Sequence, residues 1–235
     1  MEKRDGAGLA MTPQSGIIPR RQNAVPVTIG VFIGAVGVSA AFAWSNTRYA
    51  EWITTVAGTE SQLGEGLLFS AFPLALGLSI AVWRPPVFGL QLGESLLRWR
   101  VVMSTTVALC AVAAVALARM QSNPFSGADL VVQALAVPVS EELVFRGVLF
   151  TLVLSSLSRV HTAHNATVLA VLISGVAFGL AHLNNLNSYD SMFVFLQTAN
   201  ATVLGIAAGH LRAVTHSVYP AIVLHAAVNL VAVAM

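Results

Sequence analysis

The chain has 235 residues, of which 56% are hydrophobic and only 9% charged, with a formal net charge of +2. A soluble domain carries about 25% charged residues, so this composition excludes an ordinary soluble globule and points to a membrane protein in contact with lipid. No Lys/Arg-rich patch is present, which excludes a nucleic-acid partner. The single cysteine, Cys110, lies inside an apolar run and has no intramolecular disulfide partner.

Residues 1–24 form a polar tail with Pro13, Pro19 and the basic pairs Lys3-Arg4 and Arg20-Arg21. The apolar run that follows is about 20 residues, longer than the 7–15 of a cleaved signal core, so it reads as a retained first span. Apolar stretches recur at 25–44, 66–83, 101–118, 129–155, 166–183, 191–211 and 217–234, each near the ~20 residues that cross a bilayer. The expected fold is all-α, a polytopic transmembrane helix bundle of about seven spans, or eight if one is missed. The chain divides into the tail 1–24, three spans over 25–128 and about four spans over 129–235. The fourth stretch exceeds a simple span, and Pro138 predicts a kink or split there, because proline removes a helix hydrogen bond and crowds the preceding turn. Residues 45–65, with Glu51, Glu60 and Glu65, read as an external loop.

Basic residues set the orientation. The tail and alternate loops hold Lys3, Arg4, Arg20, Arg21, Arg84, Arg98, Arg100, Arg159 and Arg212, against Arg48 and Arg119 on the other side, with Arg146 inside a span. The amino terminus is therefore expected in the cytoplasm, and a multi-pass cell-membrane location follows. Gly30/Gly34 and Gly205/Gly209 have GxxxG spacing, which permits close helix contact.

Ionisable groups inside spans are costly and usually serve function or a specific pairing. Three clusters stand out. In Ser140-Glu141-Glu142-Leu143-Val144-Phe145-Arg146, Ser140 follows Pro138 closely enough to cap a new helix with both glutamates in its first turn. Glu142 and Arg146, four apart, share a face and can pair, whereas Glu141 is turned about 100° away and has no local partner. A charge cluster at a helix start is the plain structural alternative. In Phe178-Gly179-Leu180-Ala181-His182, the aromatic ring and the histidine are one turn apart at the end of the fifth span, ahead of Asn184-Asn185-Leu186-Asn187. Alone, His182 reads as an interfacial histidine. In His225-Ala226-Ala227-Val228-Asn229, two polar side chains share a face of the last span and need polar partners there; a helix-packing hydrogen bond is the alternative. Gln197, Asn200 and Thr202 either line the same cavity or bond across helices, and His161, His164, His210 and His216 read as solvated.

In these ordered motifs the chain resembles the CPBP family, the type II CAAX prenyl endopeptidases and bacteriocin-processing (Abi) proteins. That pattern is EExxxR, FxxxH and HxxxN on separate spans, met here by Glu141-Glu142…Arg146, Phe178…His182 and His225…Asn229. The likeness runs over about residues 130–231, with flanks AVPVSEELVFRGVLF, VAFGLAHL and VLGIAAGHLRAVTHSVYPAIVLHAAVNL. It implies intramembrane proteolysis of a peptide or protein substrate. By motif, Glu141 would activate water with His182, His225 and Asn229 would stabilise the oxyanion, and Glu142 and Arg146 would form a structural ion pair. These roles suit peptide hydrolysis, which needs a base for water and donors aimed at developing negative charge. No GxSxG elbow is present and Cys110 has no candidate partner in its segment, so a serine or cysteine mechanism is not supported.

Two other functions fit the same sequence: a non-catalytic scaffold or immunity factor, and a transporter with a proton-coupled carboxylate. Cofactor use also has two readings. The resemblance admits a zinc site formed by Glu141, His182 and His225, with water in the fourth position and Glu142 as base. Against it, there is no HExxH, the His225/Asn229 pair looks like two oxyanion donors, and Arg146 beside the site would weaken cation binding. No cofactor is therefore expected.

Overall fold

The computed structural model describes residues 23–56, parts of 70–91 and residues 132–233. The expected span at 101–118 lies outside the described residues, as does half of that at 66–83. Every regular element among the described residues is helical, and no strand occurs among them. Helix α1 covers Ala24–Val56. A continuous helical rod then runs through a π-turn at Val132–Ala136, α2 at Val137–Glu142, a π-segment at Leu143–Leu149 and α3 at Phe150–Leu157. After a turn come α4 (Ala163–Ala181), a 3₁₀ segment (His182–Asn187), α5 (Ser191–Thr215) and α6 (Tyr219–Val233). Among the described residues, three segments are long and apolar enough to cross a membrane, Ala24–Tyr49, Ala163–Asn187 and Ser191–Thr215, with Tyr219–Val231 a shorter apolar helix.

Three expectations about element boundaries change. Residues 45–56 are helix rather than loop. Their polar side chains are satisfied on the helix itself: Thr47 and Thr55 hydroxyls donate to the carbonyls of Ala43 and Glu51, and Arg48 pairs with Glu51 at 2.7 Å. Second, Pro138 does not split the fourth stretch. Backbone torsions stay helical through Ala136, Leu143 and Phe150. The π-turn ahead of Pro138 adds one residue to the turn, which relieves the contact between the proline ring and the preceding carbonyls. Third, Ser140 is therefore not an N-cap. It sits inside the rod, and its hydroxyl donates to the carbonyl of Val137 at 2.9 Å.

True caps lie elsewhere. The Thr162 side chain accepts from the Asn165 amide to start α4, and that of Asp190 accepts from Met192 and Phe193 to start α5. His216 closes α5 in the left-handed region, φ 55°.

Helix α1 packs parallel to α4, and three hydrogen bonds fix the alignment. The Thr28 hydroxyl meets His161 Nε2 at 2.8 Å, the Ser39 hydroxyl donates to the Ala177 carbonyl at 2.7 Å, and Asn184 Nδ2 donates to the Thr47 hydroxyl at 2.7 Å. His161 is thus a half-buried interhelix partner rather than a solvated side chain, whereas His164, His210 and His216 are exposed as expected.

The closest packing joins α4 to α5. In lipid, association relies on small residues that let backbones approach, and α4 buries Ala166, Ala170, Ser174, Gly175, Ala177 and Phe178 along one stripe. A Cβ at Gly175 would lie 2.7 Å from the Ile206 backbone nitrogen, one at Gly205 2.8 Å from the Gly175 carbonyl oxygen, and one at Gly179 would overlap Thr202. The Gly205/Gly209 spacing is therefore used, with Gly175 as its counterpart. At Gly30 and Gly34 no described atom lies within 4 Å.

Candidate active site

The site forms where the 132–157 rod, α4 and α6 meet. The end of α2 delivers Glu141 and Glu142, and the π-segment delivers Phe145 and Arg146. The last turn of α4 and the residue after it supply Phe178 and His182, and α6 supplies His225 and Asn229. The wide turn matters locally: residues 142–147 are all buried, so the charges are held among apolar groups rather than on an outer face. Such π-segments recur at functional sites.

Glu142 and Arg146 pair as their spacing predicts, Oε1 to Nη1 at 3.1 Å, with both side chains fully buried. The same Oε1 accepts from His225 Nδ1 at 3.0 Å. The other ring nitrogen of His225, Nε2, lies 3.9 Å from Glu141 Oε2, beyond hydrogen-bond range. His225 thus stands between the two glutamates, bonded to one and facing the other. Glu141 Oε2 is buried and has no hydrogen-bond partner among the described residues; the same holds for Glu142 Oε2 and for Arg146 Nε and Nη2.

His182 Nδ1 lies 3.1 Å from the Phe178 carbonyl oxygen. A carbonyl only accepts, so Nδ1 carries a proton and, in the neutral ring, Nε2 keeps its lone pair. Glu141, His225 and Arg146 are all within electrostatic reach of His182. Asn229 follows His225 by one turn of α6, on the same face. Glu141, Glu142, Arg146, His182 and His225 are thus brought together, and Asn229 lies one turn of α6 beyond His225.

Phe178, to which sequence reasoning gave no role, is the packing centre of the site. Its ring makes edge-to-face contacts with Phe145 (5.1 Å), His182 (5.1 Å) and His225 (5.6 Å). The Arg146 guanidinium lies over it at 4.3 Å, a cation–π contact of the desolvated kind. The signal was the one-turn spacing to His182; its meaning needed the other helices. Gly205 is a second such residue, because a Cβ there would come within 3.0 Å of Arg146 Nη2. Gln197 accepts from Asn185 Nδ2 at 2.8 Å, tying α5 to the 3₁₀ segment, and Thr202 donates to the Thr198 carbonyl within α5. Both serve packing.

Among the described residues, no three His, Cys, Asp or Glu side chains are grouped to hold an ion. His225 Nδ1 is taken by Glu142, and Glu142 is held by Arg146. Glu142 is thus engaged by two donors, while His225 Nε2 and Glu141 Oε2 face each other on the open side of the site.

Residues 123–231 match the family model described as Type II CAAX prenyl endopeptidase Rce1-like, a segment that contains every residue of the site. No curated protein and no solved structure matches the chain.

Proposed function

We propose that this chain, whose residues 123–231 belong to the type II CAAX prenyl endopeptidase (Rce1-like) family, hydrolyses a peptide bond within the membrane through a water activated by Glu141 and His182. The observation that carries this reading is the position of His225 between two carboxylates, one engaged and one open. A scaffold needs no open carboxylate aimed at a histidine inside a span, where such groups are expensive.

In this reading a water lies against Glu141 Oε2 and His182 Nε2. Both are acceptors, so they hold its two hydrogens and present its lone pair. Glu141 takes one proton as the oxygen bonds to the scissile carbonyl carbon. The carbonyl oxygen becomes an oxyanion and is met by His225 Nε2–H and the Asn229 amide. On collapse, the C–N bond breaks and the proton on Glu141 passes to the leaving amine. For Nε2 to donate while Nδ1 donates to Glu142, His225 must carry both ring protons. Two carboxylates are then balanced by Arg146 and the imidazolium, which leaves the buried site neutral in sum. Trapping tests the assignment: Glu141→Gln protein in native membranes should retain uncut peptides that wild type releases. Recovery of no peptide specific to the variant would count against proteolysis. Prenylated tails and other membrane-associated peptides are the substrates to look for.

The proposed mechanism uses no metal. Activity of purified protein should survive exhaustive chelation, with no stoichiometric zinc in the active preparation. Zinc whose removal stops cleavage and whose return restores it would recast Glu141, His182 and His225 as ligands.

We further propose about seven spans in the cell membrane, with residues 129–235 as the catalytic core, residues 25–128 as three accompanying spans and the 1–24 tail in the cytoplasm. Arg212 is helical and buried rather than in a loop, but without it the basic residues still divide eight to two. A reporter fused after position 60 should read external and one near position 95 cytoplasmic; the reverse pattern would overturn the orientation.

A further inference from the structure

Arg212 stands outside the site above and has no carboxylate partner among the described residues. It sits in the last turn of α5 and is only 5% exposed. Its Nη2 donates to the Val87 carbonyl at 2.9 Å, and its guanidinium lies 5.5 Å from the Phe150 ring centre. Its Nε is buried and has no partner among the described residues. The segment Pro85–Gln91 is shaped around this group. Gly89 has φ +80°, and a Cβ there would lie 2.6 Å from Nε. The Gly89 carbonyl accepts from the Val218 amide, and the Thr151 hydroxyl donates to the carbonyls of Gly147 and Val87. The guanidinium is thus held in place by neutral groups that do not balance its charge.

Arg212 also lines a cavity of about 310 Å³, bounded by Phe150, Thr151, Ser155, Thr167 and His216 among others, with no acidic residue among the described residues of its wall. That volume is at the lower end for ligand sites. Ser155 and His216 are exposed, so the cavity opens outward. Thr167 is in the first turns of α4 and His182 just past its end, so the cavity is about 22 Å along the helix from the proposed catalytic water. It lies at the end of α5 and the start of α4, both long and apolar enough to cross a membrane, and beside α3.

We propose that the Arg212 cavity binds a phosphate group, with Arg212 as the charged donor and the His216 ring and Ser155 hydroxyl at its mouth. A buried charge with no ion partner among the described residues is costly unless one arrives, and a planar guanidinium suits phosphate oxygens. Basic pockets between helix ends are where phospholipid headgroups bind; inorganic phosphate is the other source of the same chemistry.

The full-length protein, purified in detergent, is titrated with phosphatidylglycerol, with diacylglycerol of the same chains, and with inorganic phosphate. Bound species are counted by native mass spectrometry. Wild type should retain one phosphatidylglycerol in preference to diacylglycerol. Arg212→Gln should bind it about fivefold or more weakly, the effect of one lost basic contact. Ser155→Trp, which blocks the mouth and leaves the Arg212 contacts in place, should do the same and serves if Arg212→Gln folds poorly. Displacement of the lipid by inorganic phosphate, dependent on Arg212, would support the site with a soluble occupant; failure to displace supports the lipid. Equal retention by wild type and both variants, or no preference for the phosphate-bearing lipid, would overturn the proposal.

Discussion

Glu141→Gln should lower the rate of peptide cleavage by about 10²–10⁴-fold, the usual contribution of a general base, while the yield of folded protein stays near wild type. The two halves of this expectation come from different contacts. Glu141 Oε2 has no hydrogen-bond partner among the described residues, and its nearest charged neighbour, His225 Nε2, is 3.9 Å away. The buried cation Arg146 is bonded to Glu142 instead. Glutamine keeps the shape of the side chain, so packing around Phe178 and His182 is undisturbed. What it lacks is a basic oxygen to take the proton from water. The measurement pairs turnover on trapped peptides with a thermal melt of each purified protein. A variant that keeps more than about a tenth of wild-type turnover would remove Glu141 from the role of base; one that melts far below wild type would make it structural.

Much of this site was legible in the sequence, for a physical reason. Ionisable groups inside apolar spans are costly and usually serve function or a specific pairing, so Glu141, Glu142, Arg146, His182, His225 and Asn229 stood out as a set of candidates, although His182 or the His225/Asn229 pair alone would not have. The Glu142–Arg146 pair was also readable, because helix geometry alone brings residues four apart together. The His225–Glu142 bond was not, since its partners are 83 residues apart and no local rule places α6 against α2. Nor was the hub at Phe178, since a buried aromatic ring looks the same in sequence whether it packs against leucine or against two histidines and an arginine. Hydropathy also misplaced residues 45–56 and Arg212. It scores a side chain by its affinity for water and does not see the local bonds of Thr47, Thr55 and Arg48 or the Val87 carbonyl that receives Arg212. Wide π-turns leave no period long enough to detect, so the rod through Pro138 read as kinked or split.

Glu142→Gln should behave in the opposite way to its neighbour, with a loss of about 3–5 kcal/mol of stability, the cost typical of removing one partner from a buried pair. One carboxylate oxygen serves two donors here, Arg146 Nη1 at 3.1 Å and His225 Nδ1 at 3.0 Å. A glutamine oxygen can still accept from both, but the charge that directly pairs the fully buried guanidinium is gone, which leaves it the face of Phe178 and the more distant Glu141 carboxylate. Specific activity should fall as well, because His225 loses the anion that holds its ring toward Glu141. A double variant separates these effects. Arg146→Met removes the stranded charge with little change in volume, and replacing both members of a buried pair is far less costly than replacing one. Glu142→Gln/Arg146→Met should therefore recover part of the folded yield lost by Glu142→Gln alone, without recovering activity. Folded fraction is read by size-exclusion chromatography and thermal unfolding in detergent, and turnover per folded molecule on the same samples. If Glu142→Gln melts with wild type, or if the double variant is less stable than the single one by the full cost of a second independent loss, the buried pair does not hold the site together.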